Sequence, residues 1–177
     1  MNLKLPILVC FLFIRPYQPL QIPEGKFVAK VIGVKDGDTI EVLFDRKPLI
    51  IRLEHVDCPE VRSKQPFGQT AKNKTSTLCF GQMVTVIHHK KYDRYKRLIA
   101  TVINQKGENI NKELIKAGLA WHYLKYSSDK EYSRLETVAR KQKIGIWSDP
   151  SSIPPWKWRT PKKKKTSLRQ SASLSNL

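Results

Sequence analysis

Residues 26–44 read KFVAKVIGVKDGDTIEVLF. Two β-rich runs, 26–34 and 39–44, flank the pair Asp36-Gly37. An Asp-Gly dipeptide between such runs is a strong hairpin signal. Asp45-Arg46-Lys47-Pro48 forms the next turn, and 49–56 (LIIRLEHV) reads as a third strand. Residues 83–89 and 97–103 supply two more, separated by the polar stretch Lys90–Lys96. Three helices are expected between and after the strands. The first covers about 67–79, with Phe67, Ala71, Leu78 and Cys79 on one stripe. The second starts at an Asn109 N-cap and stops at Gly118. The third opens on a capping box, Ser128 to Glu131, with Tyr132, Leu135 and Ala139 inward. Five short strands with a helix after the third predict an α+β, mainly β, fold: a small closed barrel of the oligonucleotide-binding type.

Composition sets the class of partner. The chain has 177 residues, with 33 Lys+Arg against 15 Asp+Glu, for a net charge of +18. Such a surface disfavours polycationic substrates and favours polyanions. Residues 1–20 carry two cations and 161–177 carry five, with no acid in either, so 21–160 keep +11 of that charge. Three cysteines exclude a disulfide-dense scaffold and a four-thiolate zinc site. No apolar run of 18 residues exists, so a transmembrane helix is not expected.

The two ends differ from the body. Lys4 followed by Leu5–Ile14 (LPILVCFLFI) has the order of a signal-peptide n-region and h-region, without a small-x-small cleavage site after it. Residues 1–20 are therefore read as an export signal, or alternatively as an anchor through 5–14. Residues 161–177, with Lys162–Lys165 and a Ser-rich stretch, read as a disordered basic tail. The domain proper is 21–160, with its core at 26–150.

Polar residues stand out where packing does not call for them. Asp36-Gly37-Asp38-Thr39 puts two carboxylates at a tight hairpin, and Asp57-Cys58-Pro59-Glu60 puts two more just past the third strand. Arg52 sits inside an apolar run, where only an anion can make its charge tolerable. Taken singly, each motif has an ordinary explanation in turn formation or helix capping. Together, acids clustered in a strongly basic chain suit a hard cation such as Ca²⁺ or Mg²⁺, which binds carboxylate and carbonyl oxygen. Asp38, Asp57 and the Cys58 backbone carbonyl could face one ion. Arg52 and Arg97 could then clamp a phosphodiester across from it, and Glu60 could deprotonate a water.

The body resembles the staphylococcal nuclease (thermonuclease) family. The matching stretches are DGDT at 36–39, IRL at 51–53, VDCPE at 56–60, FG at 67–68, DRYKR at 93–97, ELIKAGLAW at 113–121 and GIWSDP at 145–150. The ending IPPWKWR at 153–159 resembles the extension of bacterial secreted members. The resemblance implies a calcium-dependent endonuclease acting on DNA and RNA, with a non-catalytic nucleic-acid-binding module as the alternative. It implies calcium at Asp38, Asp57 and the Cys58 carbonyl, with Asp36 as a nearby acid. It assigns Glu60 as general base and Arg52 and Arg97 to phosphate. Tyr95 and Tyr126 would contact the nucleotide, with Arg94 and Lys96 beside them. A monomer is expected. The chain departs from the family at Cys58, where threonine is common, at Lys96, where glycine is usual, and at Leu124, where the best-known member has a tyrosine.

Smaller features carry less. Cys58 and Cys79 could pair in an exported chain. His55, His88, His89 and His122 lack a zinc-like spacing with cysteine. Asn73-Lys74-Thr75 fits a glycosylation sequon but falls inside an expected helix. The four tryptophans are read as packing anchors.

Overall fold

The computed structural model describes residues 20–160. The leader and the basic tail expected from the sequence lie outside the described residues, apart from Leu20, which packs against the core with Ile22.

Strand β1 (Lys26–Asp36) turns at Gly37-Asp38 into β2 (Thr39–Phe44), with Asp36 opposite Thr39. A second hairpin leads to β3 (Lys47–Leu53), with Phe44 opposite Lys47. Its central residues, Asp45 and Arg46, have φ of 48° and 58°. Two successive positive φ values mark the turn type whose twist matches that of paired strands. β5 (Met83–Tyr92) and β6 (Leu98–Ile103) form the third hairpin. β3 pairs parallel with β6, and β1 pairs antiparallel with β5, closing the barrel in the order β1-β2-β3-β6-β5. Closure pairs each barrel strand on both sides among the described residues. Alternating residues point inward, and Val31, Ile40, Val42, Ile51, Leu98 and Val102 are fully buried.

The third strand is shorter at its end than expected. It stops at Leu53, because His55 takes a left-handed φ of 68° and breaks the extended run. Val56–Asp57 becomes a separate short strand, β4, paired with β7 (Trp121–His122), which the sequence reading had not marked as a strand. This break turns the buried acid Asp57 away from the barrel ladder.

The three expected helices are α1 (Gly68–Cys79), α2 (Ile110–Lys116) and α3 (Lys130–Lys141). Asn109 caps α2 by accepting from the Lys112 N–H, and Gly118 follows with a φ of 64°. The cap of α3 is Asp129, which accepts from the Glu131 N–H, and not Ser128. Asp129 sits one residue closer to the helix and offers the stronger, charged acceptor. Buried Asn111 fastens α2 to the barrel by donating to the Glu54 and Ala100 carbonyls and accepting from the Val102 N–H. A 3-10 turn (Gly145–Ser148) and a short helix, α4 (Pro155–Trp158), follow α3. Trp121 meets Trp147 edge-on at 5.3 Å, a packing role. Among the described residues, no helix is long and apolar enough to cross a membrane.

Candidate active site

The β1–β2 turn and the segment after β4 are pressed together by a small-residue contact. A Cβ at Gly37 would lie 2.7 Å from Cys58 Cβ and 2.8 Å from Ala71 Cβ. Gly37 is not in a left-handed conformation, so it is needed here for close approach. Thr75 from α1 donates to the Gly37 carbonyl at 2.5 Å. Cys58 and Cys79 are both buried and free. Cys58 serves as a small packing residue whose N–H donates to Asp38 Oδ2 at 2.8 Å.

That contact brings the acids together. Asp57 is fully buried and Asp38 is 6 % exposed. Arg52 reaches both, with Nη2 at 2.7 Å from Asp57 Oδ1 and 3.1 Å from Asp38 Oδ2. Its Nη1 donates to the Leu53 and Val56 carbonyls, each at 2.7 Å. The mid-strand arginine thus has the anions its burial demands. It lies against the carboxylates, not across a gap from them as the sequence reading placed it. The reason is that two buried carboxylates without a neutralising charge would be far more costly than one compact ion cluster.

Arg97 approaches from the β5–β6 turn. Asp93 builds that turn by accepting from the Tyr95 and Arg97 N–H groups, and it holds the Arg97 side chain with Nε at 2.7 Å and Nη2 at 2.6 Å from Oδ2. Burial alone would raise the Asp93 carboxyl, but its bonds from Arg97 and Tyr95 hold it below the ordinary value. Arg97 Nη1 then donates to Thr39 Oγ1 at 3.0 Å, and Thr39 donates in turn to Asp38 Oδ1 at 3.0 Å. A continuous polar chain therefore runs from Arg97 through Thr39 and Asp38 to Arg52 and Asp57. Lys96, at the family's glycine position, adopts a φ of 60°, so it takes the left-handed turn that glycine would favour.

Asp36 caps its own turn by accepting from the Gly37 N–H. Burial and the adjacent Asp38 charge push its carboxyl up to about 6. Burial and Asp38 also push Asp57 up, against the pull of Arg52 and Arg159. Tyr95 is exposed, with Arg94 donating to its hydroxyl and both Arg94 and Arg97 over its ring. Tyr126 is exposed and meets Tyr123 edge-on at 4.9 Å. Leu124 is also exposed.

Three contributors were missed by the sequence reading. Arg159, just past α4, bonds Asp57 Oδ2 from Nη2 at 2.7 Å and pairs with Glu60 Oε1 through Nη1. Gln65 ties the Glu60 loop to the C-terminal segment by accepting from the Glu60 N–H and donating to the Ile153 carbonyl. Asp93 orients Arg97. A turn-forming acid four residues before an arginine was a usable signal for Asp93. No spacing links 159 to 57.

The donor set fits a hard cation in kind, since Asp38, Asp57 and Glu60 present only carboxylate oxygens. The guanidinium of Arg159, bridging two of them, marks a position that favours positive charge. Among the described residues, no three ligating side chains already enclose one point.

The family model for staphylococcal nuclease homologues matches residues 50–149. An uncharacterized endonuclease of Escherichia coli O157:H7 is 42 % identical over 130 residues, covering 73 % of this chain and 83 % of its own. A micrococcal nuclease of Shigella flexneri is 38 % identical over 150 residues, covering 79 % and 84 %. An uncharacterized endonuclease of Haemophilus influenzae is 38 % identical over 139 residues, covering 78 % and 76 %. With this match and a closed five-stranded barrel carrying the acid and arginine cluster, the chain belongs to the staphylococcal nuclease family.

Proposed function

We propose that this chain is a calcium-dependent endonuclease that hydrolyses phosphodiester bonds of DNA and RNA with little sequence preference. The observation that carries this reading is one linked cluster in which Asp38 and Asp57 meet Arg52, Arg97 joins through Thr39, and Glu60 joins Asp57 through Arg159. Carboxylates would repel phosphate, so a positive charge between them is required for a polyanion to approach. Calcium held by Asp38, Asp57 and the Cys58 carbonyl would supply that charge and stabilise the crowded phosphate of the transition state.

The chain's own residues do the rest. Glu60, partly exposed at the rim, takes a proton from the attacking water. Arg97 donates to a non-bridging oxygen, its direction fixed by Asp93. Arg52 fixes the two aspartates and adds its charge to the same region, where preorganised electrostatics gives the largest catalytic effect. Tyr95, Arg94, Lys96 and Tyr126 offer the exposed ring faces and cations that nucleotides bind. The apolar stretch Leu5–Ile14 supports export of the chain.

The test is incubation of purified protein with single- and double-stranded DNA and with RNA across a calcium titration. Cleavage of all three that rises with calcium and stops with chelator is expected. Salt-sensitive binding without cleavage at any calcium level would instead make the barrel a binding module.

A further inference from the structure

The Arg159 guanidinium lies on the two carboxylates that the proposed reaction most needs free, Asp57 and Glu60. Its placement is not an accident of one long side chain. The segment that carries it is fastened at separate points along the loop 60–65 and beside β7. Gln65 Nε2 donates to the Ile153 carbonyl at 2.7 Å. Trp158 Nε1 donates to Ser63 Oγ at 2.8 Å. Trp156 stacks on Tyr123 at 5.3 Å with their planes 7° apart. Pro154 and Pro155 start the short helix that turns Arg159 toward the acids.

We propose that residues 153–159 form a releasable arm whose Arg159 is an internal cation at the acid cluster, so that calcium loading and arm release are one equilibrium. The proposal rests on the metal-dependent reading above and adds its regulation. A guanidinium and a divalent ion cannot both use the same oxygens of Asp57. An ion entering here must first break the charge-assisted bonds from Arg159 to both oxygens of Asp57. In the docked state, Glu60 is paired with the Arg159 guanidinium. Between these fastenings the arm is not closely packed. A cavity of about 140 Å³ lies between the arm and the body, lined by Gln65, Pro66, Trp121 and Trp158. Arg159 itself is 41 % exposed. A contact with unfilled space beneath it and an exposed cation at its end is the kind that opens locally at low free energy.

The experiment is calorimetric titration of calcium into the chelator-stripped full chain, comparing wild type, Arg159→Ala and Trp158→Phe. Tryptophan emission is followed in parallel, since Trp156 and Trp158 ride on the arm. Removing the competing cation should tighten calcium binding by at least about tenfold, the factor expected from losing a charge-assisted bond. Trp158→Phe leaves the carboxylates and Arg159 in place but loosens the arm, so it should tighten binding by a smaller factor. Wild-type emission should shift with the same midpoint as the heat. Equal or weaker calcium binding in both variants overturns the arm. If no form binds calcium, the metal-dependent reading falls and the arm with it. Should Arg159→Ala fail to fold, Trp158→Phe decides.

Discussion

Arg52 Nη2 lies 2.7 Å from Asp57 Oδ1, joining a barrel strand to a carboxylate with no exposed surface. The same nitrogen reaches Asp38, so one buried cation serves two buried anions, with Arg159 adding a second cation at Asp57. Burial opposes the Arg52 charge, but the two aspartates outweigh it and hold the guanidinium protonated.

Arg52→Ala should therefore damage the fold itself. Breaking a buried ion cluster by removing one partner costs about 3–5 kcal/mol. Thermal melting of the metal-free protein should report a loss of that order, and calcium should recover part of it. Unchanged melting would mean the cluster is not what holds β3 to β4.

Arg97 is held differently, at the rim and by one acid. Arg97→Ala should cost at least about 10²-fold in cleavage rate with only a small change in melting. Asp93→Asn should lose about tenfold, because it keeps the turn's acceptor but weakens the orienting ion pair. Single-turnover cleavage beside a melting curve separates the two effects. A variant that melts early and cleaves normally would reverse the assignment.

Gly37→Ala places a methyl group against two Cβ atoms that are fixed to their backbones, 2.7 Å and 2.8 Å away. Overpacking of this kind costs about 1–3 kcal/mol. Denaturant unfolding should show that loss. Calcium affinity should fall as well, since the turn and the Asp57 segment must separate.

Histidine chemistry sets an acid limit on stability. His122 is buried, with Nε2 at 2.7 Å from Ser127 Oγ and Nδ1 at 3.0 Å from Ser133 Oγ. Ser127 Oγ also contacts His55 Nδ1 at 2.8 Å. Burial and the His55 charge lower the His122 pKa, against a weaker pull from Asp129. A depressed folded value means the unfolded chain takes up the proton first. Stability from this group is complete above the ordinary histidine value of about 6.5 and falls as pH drops through the lowered one. His122→Gln should flatten that acid limb in melting curves. An unchanged limb would place the acid sensitivity elsewhere.

The barrel was readable because it depends on local signals: alternating apolar strands and turn dipeptides. The β1–β2 hairpin and the Asn109 cap are examples, each set by neighbours within a few residues, although the turn pair is Gly37-Asp38 and not Asp36-Gly37. The break after Leu53 was not readable, since His55 in a left-handed conformation has no marker in the run LIIRLEHV. Pairing of Val56–Asp57 with Trp121–His122 depends on contacts across 60 or more residues. The acids and Arg52 could be nominated from the cost of placing charge in apolar runs. Arg159 could not, because WKWR shows only another cation in a basic chain, and its partners are set by where α4 docks.

The most direct measurement is single-turnover cleavage of a DNA oligonucleotide by wild type and Glu60→Gln in saturating calcium, with melting curves of both. The account predicts a rate loss of at least about 10²-fold with the fold intact, since Gln cannot take the proton from water. Full activity in Glu60→Gln, or cleavage that persists in excess chelator, would contradict it.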